Sequence, residues 1–410
     1  MKSVDPYLIF QAKKVPRKFQ QWYHQIRAEL VELIFRYLAQ PHWLLKYFST
    51  RAAVQESIAL VRLDLIGDFI IWLDAAKEFK ALYPNKKIVL YANSSWAELA
   101  RGISYWDEVV VVDVSRLRSD KLYLLDCLIA IRRRGFKVAI QPTYSREYIG
   151  DILVYATFAE QRVGMLGDLN NISAEHKYMT DDWYTKLVST SALPKSELNR
   201  NGELIRALGH QTFRSALPEI ATPVANLSKF VLQGRYCVVV PGASWKPKTW
   251  PAAYFAQVAL EIADRDDLKI VLCGTDAEYQ LCEQVSLLTS VGAVNLAGKT
   301  NVCELVEIIR NAEILIANDS AAVHIATATN TSSICIMGGG HFGRFLPYAP
   351  EVDSPQRAQP LLAFQEMSCY GCGWRCGYIS DEVPVVPCVS EINVSQVLSI
   401  YREQALKIRT

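Results

Sequence analysis

The chain has 410 residues, half of them hydrophobic, with 44 Lys and Arg against 42 Asp and Glu and a formal net charge of +2. That length suits two domains of ~100–200 residues each, and the near-neutral balance fits a globular protein with no nucleic-acid partner. No uncharged apolar run reaches the ~18 residues of a membrane span, and no charged-then-apolar leader opens the chain, so a cytoplasmic location is the expectation.

Residues 1–55 form a basic head, with nine Lys and Arg against three Asp and Glu, on a body that is slightly acidic. Tyr23, Ile26, Leu30, Leu33, Ile34 and Tyr37 recur there at helical spacing. A basic amphipathic helix suits peripheral contact with the inner face of the cytoplasmic membrane. The same apolar face would also serve packing on the body or on another subunit.

The first clear strand is Ser57–Leu65. Gly67-Asp68 is the turn after it, and a helix is expected from Phe69 to Tyr83. Strand-like runs follow at Ile88–Ala92, Val109–Val114, Val138–Gln141 and Arg162–Gly164. Helices are expected between them, the clearest at Lys121–Arg134 and Arg146–Ala159. Such alternation predicts a doubly wound parallel sheet. Pro218–Leu227, rich in Pro, Ala, Thr and Asn, reads as an interdomain linker.

A second alternation then begins. Strands are expected at Tyr236–Val240, Lys269–Gly274, Val294–Ala297, Ile314–Ala317 and Ser333–Met337. Helices are expected at Ala252–Asp264, Asp276–Leu288, Cys303–Asn311, Ala321–Thr329 and Val394–Ile408. The predicted organisation is a helical extension (1–55), a Rossmann-like domain (56–222), a second Rossmann-like domain (223–392) and a terminal helix (393–410), with a cleft between the two sheets.

Chemistry-bearing residues gather after strands. Asn318-Asp319-Ser320 caps the helix that starts at Ala321. Free backbone N–H groups there, beside the small Ala321 and Ala322, suit a phosphate. Gly67-Asp68 sets a carboxylate in the first turn of a helix, whose N-terminus favours the ionised form of a base. The loop Pro241–Pro251, PGASWKPKTWP, holds Lys246 and Lys248 in a proline-stiffened stretch where a lysine can neutralise phosphate. Asp276 or Glu278, after another strand, could accept hydrogen bonds from ribose hydroxyls. Gly338-x-Gly340-x-x-Gly343 matches a dinucleotide fingerprint in form, but Pro347 and Pro350 stop the helix it requires. It reads instead as a loop that lets a ligand approach.

Six of the ten cysteines stand singly in apolar surroundings. The other four, Cys369-x2-Cys372-x3-Cys376-x11-Cys388, are spaced for a structural zinc or iron site. Reduced thiols are the other reading of the same spacing.

RLDLIGD (Arg62–Asp68), PGASWKPKTWP (Pro241–Pro251) and NDSAAVH (Asn318–His324), in that order, resemble glycosyltransferase family 9. Its best-known members are ADP-heptose:lipopolysaccharide heptosyltransferases. The resemblance covers roughly residues 57–392. It implies a GT-B fold, with the acceptor on the first domain and the nucleotide sugar on the second, and direct inverting transfer to a saccharide acceptor that can be lipid-linked. It places a catalytic base at Asp68 and an ADP-heptose-like donor on Ser244, Lys248, Glu278, Asp319, Ser320, Ala321, Ala322 and His324. Acceptor contacts fall at Gly67 and Arg146, and no cofactor is required for catalysis. Ala321 departs from the family's usual glycine, and Gln141 stands where an aspartate is common. The remaining alternatives are a nucleotide-sugar epimerase on the same fold, heptose transfer to a protein, and a non-catalytic sugar-nucleotide-binding assembly protein.

Overall fold

The computed structural model describes residues 55–190, 196–232, 234–289, 292–352 and 357–409. The amphipathic helix expected in the head lies outside these residues. Two six-stranded sheets, parallel at every pairing, organise the rest. The first is ordered β3-β2-β1-β4-β5-β6, with β1 at Gln55–Arg62, β2 at Lys87–Asn93, β3 at Glu108–Val112, β4 at Phe136–Gln141, β5 at Gln161–Met165 and β6 at Lys186–Val188. The second is ordered β12-β11-β10-β7-β8-β9, with β7 at Tyr236–Val240, β8 at Lys269–Leu272, β9 at Val294–Asn295, β10 at Ile314–Asn318, β11 at Ser333–Ile336 and β12 at Leu361–Ala363.

Read from the other edge, the second order repeats the first. Each sheet therefore reverses direction once, between β1 and β4 and between β7 and β10. Loops leaving the carboxyl ends of those strands open into a crevice, the usual ligand position in such sheets. The central strands read as unbroken apolar runs, such as Ile58–Val61 and Ile314–Ala317, because helices cover both faces.

The expected helix over Phe69–Tyr83 is two. One runs Ile66–Ala76 and a second Glu78–Leu82, with Lys77 between them turning its ammonium back onto the buried Asp74 at 2.7 Å. The earlier start puts Gly67 and Asp68 inside the first turn. Phe69 stacks on Trp96 at 4.1 Å, and Trp72 stacks on Trp106 at 6.1 Å, which fixes this helix against the sheet edge.

The two sheets do not simply face each other across a gap. Helix Ile66–Ala76 packs on helix Ala321–Thr329, and one apolar cluster runs through both. The expected linker is held down: the Ile220 N–H donates to Ala328 O at 2.9 Å, and the Val224 N–H to Glu307 at 3.0 Å. The final helix, Val394–Arg409, returns to the second sheet, where the Tyr401 hydroxyl donates to Asp266 at 2.5 Å.

Candidate active site

The turn after β1 is held by a fully buried arginine. Arg62, the last residue of β1, donates from Nε to Asp64 Oδ1 at 3.1 Å and from Nη2 to the Asp68 carbonyl at 3.1 Å, and pairs with Asp64 Oδ2 at 2.8 Å. Its guanidinium lies 4.9 Å from the Trp72 ring. From the other side, Asn93 Nδ2 and Trp96 Nε1 donate to the carbonyl of Asp64 at 3.2 and 2.8 Å. Three side chains thus hold the backbone at Asp64 and Asp68 and the Asp64 carboxylate in set positions.

The carboxylates of Asp64 and Asp68 are electrically strained. Burial pushes Asp68 up to about 7, with Asp64 and Glu197 adding to the rise and Arg62 and Arg344 opposing it. Burial likewise holds Asp64 near 6, against the pull of Arg62. The helix N-terminus that was expected to keep Asp68 ionised is thus outweighed by loss of water and by a second carboxylate. A group titrating near neutrality is well matched to accepting a proton from a hydroxyl.

Opposite Asp68 stands the start of helix Ala321–Thr329. A Cβ built on Gly67 would lie 3.4 Å from His324 Cδ2 and 3.6 Å from Ala321 Cα. The two helix N-termini therefore meet at van der Waals distance at this glycine. Ser320 occupies the N-cap position without capping, and its hydroxyl is buried with no protein partner. An orphaned hydroxyl beside the free N–H groups of a first turn fits an anionic oxygen. His324 is buried, shares a hydrogen bond from Nδ1 with the Tyr348 hydroxyl at 2.8 Å, and is pushed down to about 4 by burial, so the ring is neutral.

Lys248 closes a 3-10 turn, Lys246–Lys248, and donates to the Asp319 carbonyl at 3.1 Å. Asn318 ties that loop to β10. Its Nδ2 donates to Pro241 O at 2.5 Å, and its Oδ1 accepts from the Trp250 N–H at 3.0 Å. Trp250, wholly buried, adds an indole N–H bond to Ile392 O at 2.9 Å. Ser244 lies exposed on the same loop. Glu278 Oε2 accepts from the N–H and hydroxyl of Thr275 at 2.7 and 2.9 Å, completing a capping box. Its other oxygen rests on Gly242, where a Cβ would come within 1.9 Å. Glu278 thus borders the crevice, whereas Asp276 packs beneath Gly298.

Arg146 requires a correction. It is 1% exposed, with Nη1 on Asp151 at 3.1 Å, Nη2 on Asp181, and its guanidinium 4.9 Å from the Tyr184 ring. The Tyr184 hydroxyl in turn shares hydrogen bonds with Asp151 at 2.6 Å and with Gln141. A saccharide cannot reach this guanidinium, because the arginine neutralises a carboxylate buried behind the sheet. The sequence pattern predicts a helix from Arg146 to Ala159. The helix begins two residues later, at Tyr148, so the side chain turns inward.

A second arginine, Arg344 from the other half of the chain, reaches the first domain. It donates to Ser145 Oγ at 2.8 Å and to Glu197 at 3.1 Å, and its charge opposes the rise at Asp68. No motif in the sequence singled it out.

The glycines of the Gly338–Gly343 loop serve a different neighbour from the one expected. Tyr370 lies on Gly339, and Trp374 on Gly338 and Gly340, so close that Cβ atoms there would come within 2.0–2.6 Å of the rings. Protein, from the cysteine segment, makes the close approach.

Cys369, Cys372, Cys376 and Cys388 line one small cavity together with Tyr370 and Trp374. Burial raises the Cys388 thiol, and the three other cysteines raise it further, while the Gly339 N–H bonded to its sulfur opposes this. Among the described residues no three His, Cys, Asp or Glu side chains are drawn together at metal-binding distance. Four thiols around one cavity are nonetheless a donor set suited to zinc or iron. Of the six other cysteines, Cys237, Cys273, Cys282, Cys303 and Cys335 are buried, as expected of inert core thiols, whereas Cys127 is half-buried.

The model of glycosyltransferase family 9 (heptosyltransferase) matches residues 153–368. Lipooligosaccharide heptosyltransferase 2 of Campylobacter jejuni is 29% identical over 136 residues, which cover 32% of this chain and 40% of that protein. The chain therefore matches less than half the length of this curated relative. The structure of Escherichia coli ADP-heptose lps heptosyltransferase II superposes with a TM-score of 0.62 at 16% identity, over 86% of this chain and all of that one. TibC of enterotoxigenic E. coli, an iron-containing dodecameric heptosyltransferase solved with ADP-D-beta-D-heptose, superposes at 0.53 and 14% identity, over 88% of this chain and 80% of that one. These likenesses establish the two-sheet GT-B architecture.

Proposed function

Because the chain belongs to glycosyltransferase family 9, we propose that it transfers heptose from an ADP-linked donor to a hydroxyl of a lipopolysaccharide or lipooligosaccharide core, with inversion at the anomeric carbon. The observation that carries this reading is the meeting of Gly67-Asp68 with the start of helix Ala321–Thr329, with Lys248 on the Asp319 carbonyl beside it. A base and an anion site then stand on opposite sides of one crevice.

In this mechanism Asp68 takes the acceptor hydroxyl proton as the oxygen attacks the anomeric carbon. The nucleoside diphosphate leaves from the opposite face. Lys248, the Ser320 hydroxyl and the N–H groups of Ala321 and Ala322 receive the charge that grows on its phosphate oxygens. Ser244 and Asp319 border the same pocket. His324, neutral and fixed by Tyr348, contributes a dipole without a competing charge. Glu278 accepts from the donor ribose through the oxygen that rests on Gly242. Gly67 lies where the acceptor turn meets the donor helix. The transfer needs no cofactor, since lysine and backbone dipoles supply the positive field.

Cys369, Cys372, Cys376 and Cys388 would hold one structural zinc or iron, whose binding energy would add to folding of the segment. The basic head of residues 1–55 would keep a cytoplasmic enzyme near the inner membrane surface, where a lipid-linked acceptor lies. Among the described residues no helix is long and apolar enough to cross a membrane.

The test incubates the protein with ADP-heptose and a heptose-deficient core saccharide and follows the acceptor mass. Growth of the acceptor by one heptose, with release of ADP, is the expected result. Isomerisation of the donor alone would assign the protein to the epimerases.

A further inference from the structure

The cysteine segment does more than close on itself, because one of its side chains reaches the donor site. Lys248 Nζ lies 5.3 Å from the centroid of the Trp374 ring. Its hydrogen bond goes to a neutral group, the Asp319 carbonyl at 3.1 Å, and among the described residues it has no ion pair. An ammonium held by a carbonyl and an aromatic face has no carboxylate partner to give up when an anion arrives.

Trp374 is itself held in place. It sits at φ +61°, a left-handed backbone that non-glycine residues rarely adopt, beside Gly373 at +61°. The N–H groups of Gly371 and Gly373 donate to Gly339 O and Gly340 O at 2.8 and 2.9 Å. Trp245 meets the indole edge-on at 5.9 Å, and His341 at 6.2 Å. The cysteine segment also grips the lysine turn directly, since the Val386 N–H donates to Pro247 O at 2.8 Å.

We propose that Trp374 is a positioning residue for Lys248: its indole face, anchored on Gly338 and Gly340 by the cysteine segment, holds the ammonium aimed at the donor diphosphate. A free lysine samples many rotamers and loses that freedom on binding. A lysine already held by a ring loses less, so the anion binds more tightly. This rests on the reading of Lys248 as the phosphate lysine.

Calorimetry of ADP binding to the full chain tests it, with wild type, Trp374→Leu, Trp374→Phe, Lys248→Ala and the Trp374→Leu/Lys248→Ala double variant. Trp374→Leu should weaken ADP about tenfold, and Trp374→Phe should restore it to within about threefold, as a smaller cation–π face allows. In the Lys248→Ala background, Trp374→Leu should change nothing further, because the lysine it positions is gone. Should the leucine variant fail to fold, biosynthetic fluorination of tryptophan weakens the ring face without changing its shape. It should lower ADP affinity in wild type and not in Lys248→Ala. Wild-type affinity in Trp374→Leu, or an equal loss with and without the lysine, overturns the positioning role and leaves the phosphate role of Lys248 intact. Unchanged ADP affinity in Lys248→Ala overturns both.

Discussion

Replacing Asp68 by Asn should make the protein more stable and nearly inactive, and the stability gain should depend on pH in a defined direction. Burial and the neighbouring Asp64 and Glu197 raise Asp68 from an ordinary 3.8 to about 7. The folded chain therefore keeps a proton that the unfolded chain has lost, over the range between those two values. Stability from this group is complete below about pH 4 and falls as pH rises towards 7. At ~1.36 kcal/mol per pH unit the ceiling is ~4 kcal/mol. Relaxation of the interior around a charge lowers that, and about 2–3 kcal/mol at pH 8 is the expected gain. Asn fills the same space without ionising, so the variant escapes the decline. Urea denaturation of both proteins from pH 5 to 8.5 reads this directly. The gap should widen by about 1.5–2 kcal/mol across the range. Transfer by wild type should rise with pH through about 7 as Asp68 ionises, and the variant should lose ~10²–10⁴-fold in rate. Stability curves that stay parallel over the whole range would refute the burial argument. Near wild-type transfer by the variant would remove Asp68 as the base.

Arg146→Ala should cost ~3–5 kcal/mol of stability, because it strands the buried Asp151 without its partner. A loss below ~1 kcal/mol with a raised acceptor KM would return Arg146 to acceptor binding. Cys369→Ser with Cys372→Ser should lower the Tm and the metal content together, and elemental analysis of untagged protein checks this. Less than ~0.2 metal per wild-type chain, with four titratable thiols, would leave these cysteines as reduced side chains. Removing residues 1–50 should leave transfer to a small soluble acceptor intact while reducing co-sedimentation with anionic vesicles. Equal sedimentation with and without the head would assign its apolar residues to packing.

Most of the alternation of strands and helices is legible in the chain because it is local. A buried parallel strand needs an apolar run, and the helix after it needs an apolar stripe, so periodicity reports both. The elements that went unread are short or polar. β6 and β12 have three residues each, too few to show a period, and Glu197–Leu208 is a polar helix with a narrow apolar face.

Motifs at strand ends were legible for the same reason. Gly67-Asp68, Lys248 and Asp319–His324 each stand next to their own strand, and sheet topology brings those strand ends to one crevice. What each residue does there depends on neighbours that the chain supplies from far away. The loss of solvent that holds Asp68 near 7 is a property of the packed structure, in which the adjoining Gly67 meets a helix start about 250 residues downstream. Arg146 pairs with Asp151 on the helix that follows it and with Asp181 at the end of a later helix, and a two-residue shift in one helix start decides whether its charge faces water or Asp151. Gly338, Gly339 and Gly340 read alike as a ligand loop or as a bed for aromatic rings, and only the return of the cysteine segment across them selects the second. Sequence carries which groups can be charged, apolar or bent, whereas the pKa of a carboxylate and the partner of a cation are properties of the space around them, which exists only once the two sheets have packed.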